Sequence, residues 1–389
     1  MKSTTFDLLY PLNSGFKKTE IHFYTGKPDL YGVFYKKNGA HTTRRLFVTD
    51  TTIAKLPSVK NFISHFKKEK GKKLPKPAYC AVYHDDVLVV LGAGESYKTI
   101  DNVLLMEQVA LEHNFDRHAV FTAIGGGVIC DMTGFAASLF KRGVAVDFVP
   151  TTLLAMVDAS LGGKTGCDFL GYKNMIGSFS PALHLHIWSS FVQSLSEKEY
   201  RSGLAEAVKT ALLFSKDLYK LFVEKKDKVL HRDEKAVAEM ISVCVQAKAR
   251  IVHKDFREQG ERALLNYGHT FGHAFESATG LGKVTHGAAV AWGMGRALDV
   301  SRSLGLCSAS YADSAKSLLS AYGWDMSPLP KEIDSSTSNG KTAKLLLGAM
   351  HKDKKNSSST KIRVILQKGL CRNVIIEVDE ADILPVLTK

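Results

Sequence analysis

The chain has 389 residues, 45% hydrophobic and 23% charged, with 52 lysines and arginines against 39 acidic residues and a formal net charge of +13. That length favours two domains over one, and the composition is that of a globular protein rather than a fibrous or disordered one. No apolar run is long enough to span a bilayer, and the six scattered cysteines form no CxxC pair, against a thiolate zinc site or a disulfide framework.

In chain order, MKSTTFDLLYPLNSGF lacks the apolar core of a signal peptide, so a reducing cytoplasm is the expected compartment. Short β-branched runs then alternate with polar helical stretches. RRLFVTD (44–50), YCAVYHDDVLVVLG (79–92), AVFTAIGGG (119–127) and VAVDFVPTT (144–152) read as strands, and NVLLMEQVALEHN (102–114) as a helix. Glycine turns at strand ends complete the pattern of an α/β layer with a mostly parallel sheet. The lysine run KKEKGKKLPKP (67–77) reads as a solvated surface segment, the alternative being a nucleic-acid or membrane patch, and no nucleic-acid-binding module accompanies it. Beyond residue 195 apolar residues recur at spacings of three and four, the texture of helices, with TKIRVILQKG (360–369) as a late strand or ribbon. The domain boundary is expected near 190, giving 1–190 and 191–389.

Four stretches carry chemistry. In AIGGGVICDMTGF, Gly125, Gly126 and Gly127 close a strand before a helix, where bare backbone and helix amides suit a pyrophosphate. The alternative is a tight structural turn, because this is not GxGxxG. In PTTLLAMVDASLGGKTGCDFLGYKNMIGSF, Lys164, Lys173 and Asn174 sit in glycine-rich context, read as phosphate-binding loops or as ordinary surface, and Asp158 interrupts an apolar helical run, which calls for a capping or hydrogen-bonding role. In RSGLAEAVKTALL, Glu206 and Lys209 share a helix face, as a solvated ion pair or as part of a packed site. LLNYGHTFGHAFES and THGAAVAWGM supply His269, His273 and His286, which taken alone could hold metal, bind substrate or pack. The sequence HTFGH lacks the glutamate of HExxH, so a metalloprotease is a poor reading.

Together these stretches, with GLAEAVK and the MHKDKK segment, closely resemble the 3-dehydroquinate synthases and the wider sugar-phosphate cyclases. The resemblance runs from about Arg44 to MHKDKK. It implies an α/β Rossmann-like NAD domain over 1–190, a mostly α-helical metal- and substrate-binding domain over 191–389, and a homodimer. By motif, Glu206, His269 and His286 match the zinc (or cobalt) ligands, and His273 a substrate-phosphate contact. Gly126, Gly127, Val128 and Asp131 match the NAD loop, with Thr151, Thr152, Asp50, Glu95, Lys98, Lys164, Lys173 and Ser194 as further cofactor positions. Lys164, Asn174, Asn266, His273 and Lys354, with Lys355 as the alternative lysine, match phosphate binders, and Arg142 an arginine lent across the dimer. Lys248 and Arg262 match the pair on a substrate carboxylate, with Asp158, Lys173 and Lys209 around its hydroxyls.

The implied reaction converts 3-deoxy-D-arabino-heptulosonate 7-phosphate to 3-dehydroquinate and phosphate, in the shikimate route to aromatic amino acids. It proceeds by transient oxidation, phosphate elimination, re-reduction and aldol closure, with NAD unchanged at the end. Rival readings are a cyclase acting on sedoheptulose 7-phosphate, whose substrate lacks a carboxylate, and an iron-containing alcohol dehydrogenase, which would release NADH. Cys130, Ala288, Phe256 and Thr52 depart from the family pattern; the expectation is that Cys130 alters the NAD turn and Ala288 removes a hydrogen bond near the metal.

Overall fold

The structure is a computed structural model that describes residues 3–35, 43–69, 74–280, 283–329, 332, 339–351 and 361–388. Lys354 and Lys355 lie outside the described residues. The chain divides into two units, Met1–Leu195 with Lys248–Arg257, and Ser196–Ala247 with Glu258–Lys389.

The first unit is built on a nine-stranded sheet. Its strands are β1 (Ser3–Leu9), β2 (Lys18–Tyr24), β3 (Arg45–Asp50), β4 (Lys67–Lys68), β5 (Tyr79–Tyr83), β6 (Asp86–Leu91), β7 (Val120–Gly125), β8 (Ala145–Pro150) and, after a hairpin of β9 (Lys164–Phe169) and β10 (Tyr172–Phe179), β11 (His184–Trp188). The sheet order is β1-β2-β11-β8-β7-β3-β6-β5-β4. Pairing from β2 through β6 is parallel, and the outer pairs are antiparallel. The central runs DVLVVL and VFTAIG are buried at every position, as strands covered on both faces must be. Edge strand β1 is mostly exposed.

Three local expectations change. The segment 79–92 is a hairpin, not one strand, because the polar His84–Asp85 pair turns the chain and His84 takes φ 53°. Lys164 and Lys173 stand on the β9–β10 hairpin rather than on loops. The run holding Asp158 forms a five-residue π-helical turn, Ala155–Ala159. Phe256, at a commonly acidic position, is buried against the rings of Tyr10, Phe16 and Phe179 at 5.2, 5.7 and 5.3 Å. An acid there would be desolvated among aromatics, so phenylalanine fits this chain's packing.

The second unit is mainly helical, with a late ribbon of β12 (Lys361–Gly369) and β13 (Arg372–Asp379). Its core helices are Glu197–Phe214, His269–Thr279 and His286–Ser303. They approach closely enough that side chains are excluded: a Cβ at Gly287 would lie 2.2 Å from the Ser202 carbonyl oxygen, and one at Gly293 2.0 Å from that of Gly268. These contacts set the positions of three polar residues.

Candidate metal centre and cofactor loop

Glu206 lies in the middle of its helix, 1% exposed, among alanines and leucines that favour helix and bury well. Ser196 caps this helix by accepting from the Glu199 amide at 3.2 Å. His269 and His286 are each the first residue of their helices. Gly268, at φ 79°, turns the chain ahead of the first, and Thr285 caps the second by accepting from the Ala288 amide at 3.2 Å.

This arrangement brings the three side chains together. Glu206 Oε1 is 3.8 Å from His269 Nε2 and 3.7 Å from His286 Nε2, and one ligand atom from each lies within 4.8 Å of the others. The opposite nitrogens are secured: His269 Nδ1 donates to the Tyr267 carbonyl at 3.3 Å, and His286 Nδ1 lies 3.4 Å from Glu276 Oε2. Glu206 Oε2 is ion-paired with Lys209, while Oε1, facing the two imidazoles, accepts no hydrogen bond among the described residues. A buried carboxylate oxygen left so is costly, and a cation shared with the two imidazoles would complete it. Two imidazoles and a carboxylate form the donor set of an open zinc site, so the residues fit such an ion.

Burial, with Lys209 and the two neighbouring histidines, holds His269 well below its ordinary value and so in the neutral form a metal needs. Burial also pulls His286 down, but Glu276 and Glu206 outweigh it and hold this ring above its ordinary value. Sequence reasoning missed Glu276. Its place seven residues after His269, hence on the same helix face, was the available signal. This carboxylate gives His286 a hydrogen-bonding partner behind its Nδ1. His273 is exposed one turn on, its ring 5.3 Å from that of His269. Arg262 is buried in the turn Glu261–Asn266, where the Asn266 amide donates to Glu258 and, at 3.1 Å, to the Ala263 carbonyl.

In the first unit, β7 ends at Gly125, Gly126 occupies the cap, and the helix Gly127–Leu139 follows with no side chain capping it. Val128 and Asp131 lie on its first turns, half-buried. A Cβ at Gly126 would come 3.0 Å from the Thr152 methyl, so glycine keeps this approach open. Beside it Thr151 is buried and its hydroxyl finds no hydrogen-bond partner among the described residues, while Thr152 Oγ1 accepts from the Ala155 amide at 3.2 Å. Uncapped amides and an orphaned hydroxyl at a strand-to-helix turn fit a dinucleotide phosphate. Cys130 does not disturb the turn. It lies within the helix, buried, its thiol 3.8 Å from the Gly125 carbonyl.

Lys98 is buried and joins Asp131 at 2.6 Å to Asn174 Oδ1 at 2.5 Å. Burial lowers the Lys98 ammonium, but Asp131, Glu95 and Asp168 outweigh it and hold it charged. Asp50 closes a turn by accepting from the Thr52 and Ile53 amides at 2.7 and 2.8 Å. Lys248 donates to the Asp158 carboxylate at 2.5 Å and to its carbonyl at 2.6 Å. Lys248 and Arg262 fall in different units. Glu95, Arg142, Lys164, Lys173 and Ser194 are exposed, Arg142 with φ 70° and Ser194 donating to the Phe191 carbonyl at 2.7 Å.

Residues 88–202 match the family model for the N-terminal part of 3-dehydroquinate synthase, and residues 203–356 the model for its C-terminal part. The chain belongs to the 3-dehydroquinate synthase family. A 3-dehydroquinate synthase of Acidithiobacillus ferrooxidans is 39% identical over 329 residues, covering 84% of this chain and 83% of that protein. Among solved structures, 2-deoxy-scyllo-inosose synthase complexed with carbaglucose-6-phosphate, NAD+ and Co2+ shares the fold at TM-score 0.79 and 22% identity, over 99% of each chain. The 2-epi-5-epi-valiolone synthase of Streptomyces hygroscopicus subsp. jinggangensis, with NAD+ and Zn2+ bound, aligns at TM-score 0.78 and 25% identity over 96% of this chain and 97% of that one. The expected fold class, a parallel-sheet α/β domain with a mostly helical partner, is that of the 3-dehydroquinate synthases. The chain is an enzyme of this family. No helix among the described residues is long and apolar enough to cross a membrane.

Proposed function

We infer that the enzyme converts 3-deoxy-D-arabino-heptulosonate 7-phosphate to 3-dehydroquinate and phosphate, using NAD and one divalent ion, zinc or cobalt. The convergence of His269 and His286 on Glu206 Oε1, which accepts no hydrogen bond among the described residues, in a chain matching both parts of the family, carries the reading. When bound, the ion supplies polarisation of the substrate's vicinal hydroxyls and NAD supplies reversible storage of a hydride.

The protein's own residues do the positioning. Gly126, Gly127, Val128 and Thr151 receive the pyrophosphate, with Thr152 holding the turn. Asp50, Glu95 and Ser194 serve the remaining cofactor, and Lys98 ties Asp131 to the β9–β10 hairpin through Asn174. On the substrate, Lys164, Asn174, Asn266 and His273 bind the phosphate, joined by Lys354 and by Arg142 of a second subunit in a homodimer. Lys248 and Arg262 bind the carboxylate, whose bidentate geometry suits a guanidinium. Asp158, Lys173 and Lys209 orient the hydroxyls. Residues 1–190 act as the NAD-binding domain and 191–389 as the metal- and substrate-binding domain, in a cytoplasmic enzyme. Lys248, Arg262, Asn266 and His273 favour the carboxylated substrate over sedoheptulose 7-phosphate.

With zinc or cobalt and catalytic NAD, the purified protein should release phosphate from 3-deoxy-D-arabino-heptulosonate 7-phosphate, with no net rise in absorbance from NADH. Turnover of sedoheptulose 7-phosphate instead, or stoichiometric NADH, would overturn the assignment.

A further inference from the structure

We propose that the first unit carries a second divalent transition-metal site, formed by Glu20, His22 and His184 where the β1–β2 hairpin joins the parallel sheet. None of these residues takes part in the reaction proposed above, and the inference does not rest on that reading.

The strand register builds the site. Glu20 on β2 pairs with His184 on β11, and His184 in turn pairs with Asp147 on β8. His22 lies two residues along β2, on the same face of the sheet. One ligand atom each from Glu20, His22 and His184 falls within 4.8 Å of the others. Glu20 Oε1 already lies 3.3 Å from His22 Nε2.

Behind this trio stands a buried carboxylate. Asp147 Oδ1 accepts from His184 Nδ1 at 2.9 Å and from the His184 amide at 3.1 Å, while Arg45 donates to Oδ2 at 2.7 Å. With Nδ1 committed, His184 has Nε2 left as its ligating nitrogen, the carboxylate–histidine–metal arrangement. His186 stacks on His22 with ring centres 5.0 Å apart, and its Nδ1 is 2.9 Å from the Tyr24 hydroxyl. It is buried and walls the site rather than ligating.

The three ligands are half-buried, so an ion can enter and water can fill the remaining position. Lys18 stands 3.6 Å from the other Glu20 oxygen and 2.9 Å from Asp7, which weakens the site but leaves Glu20 Oε1 turned to His22. A surface Glu20–His22 ion pair contributes little and gives no account of His184 held on Asp147. Two imidazoles and a carboxylate select zinc, cobalt or nickel over magnesium or calcium. The ion would tie β2 to β11 and so pin the N-terminal hairpin.

Cobalt titration of the metal-stripped full chain, followed by visible absorbance and by metal content after gel filtration, tests this. The expected stoichiometry is two ions for the unmodified chain, one for His22→Ala, one for His269→Ala, and none for the pair combined. Glu20→Gln, which keeps side-chain volume, should weaken the second ion at least tenfold, so a folding defect in His22→Ala would not decide the outcome. In the His269→Ala protein, cobalt should slow amide exchange in β1 and β2, and His22→Ala should abolish that protection. A single ion lost with His269→Ala, a second ion retained in both His22→Ala and Glu20→Gln, or a second ion bound only at millimolar cobalt would overturn the proposal.

Discussion

The glycine loop and the histidine cluster depend on the fold in different ways. The loop is contiguous: β7, the Gly126 cap and the helix from Gly127 follow one another in the chain, so its backbone geometry is made locally. The candidate metal cluster draws one residue from each of three helices, and its spacing comes from backbone contacts such as Gly287 against Ser202. Local geometry survives distant perturbation, whereas an assembled cluster inherits every shift of its supports.

The sharpest way to break this comparison is Glu206→Gln. It preserves shape but removes the anionic ligand, so phosphate release should fall by about 10³-fold or more. Dialysed protein should lose the ion of this centre, while NAD affinity, measured by calorimetry, should stay within about twofold. Comparable loss of NAD binding would mean the two regions are not separable. Next in size is Gly287→Ala, whose methyl would meet the Ser202 backbone at 2.2 Å. The helices must part, lowering stability by about 1–3 kcal/mol and loosening the His286–Glu206 spacing. Gly126→Ala meets only a threonine methyl at 3.0 Å. Its effect should stay confined to NAD affinity, with the melting temperature nearly unchanged.

Legibility in the sequence follows the same division. The buried strands β3, β6, β7 and β8 announce themselves as β-branched runs, and the glycine loop as the end of one of them. The β9–β10 hairpin was hidden because glycines and lysines in LGGKTGCDFLGYKNMIG carry the composition of a loop, although pairing such as Gly166 with Gly177 makes it a ribbon. The break at His84–Asp85 is not legible in the sequence because the residues on both sides have strand character. Glu206, His269 and His286 are singled out together by resemblance alone, and the structure brings their side chains together. Glu276 lies within the quoted histidine stretch, but its partnership with His286 exists only once two helices pack. The Lys98–Asp131–Asn174 trio and the Lys248–Asp158 pair likewise join segments far apart in sequence.

Glu276→Gln sharpens the comparison from the metal side. The amide keeps the size of the group but not its charge, so His286 is less firmly held. Metal affinity should fall about 10–100-fold with the fold intact. Competition with a chromophoric chelator reads this directly, and unchanged affinity would make Glu276 a packing residue only.

The smallest expected effect lies in the first unit, on the helix Ile100–Glu112 that packs beside the glycine-loop helix. There Glu107 is half-buried, its Oε1 has no hydrogen-bond partner among the described residues, and desolvation pushes its carboxyl from 4.5 up to about 7. Between those two values the unfolded chain has released its proton while the folded one retains it. Stability therefore declines as pH rises above about 4.5 and levels off beyond about 7. Glu107→Gln removes that dependence, so the variant's advantage in melting temperature should be near zero at pH 4.5 and grow toward pH 8. Because solvent screens a half-buried group, the gain is on the order of 1 kcal/mol, about 2 °C for a chain of this size. Melting curves at the two pH values measure it. An advantage independent of pH would show that Glu107 strains the helix through packing, and that this helix is no more sensitive to charge than those around the metal cluster.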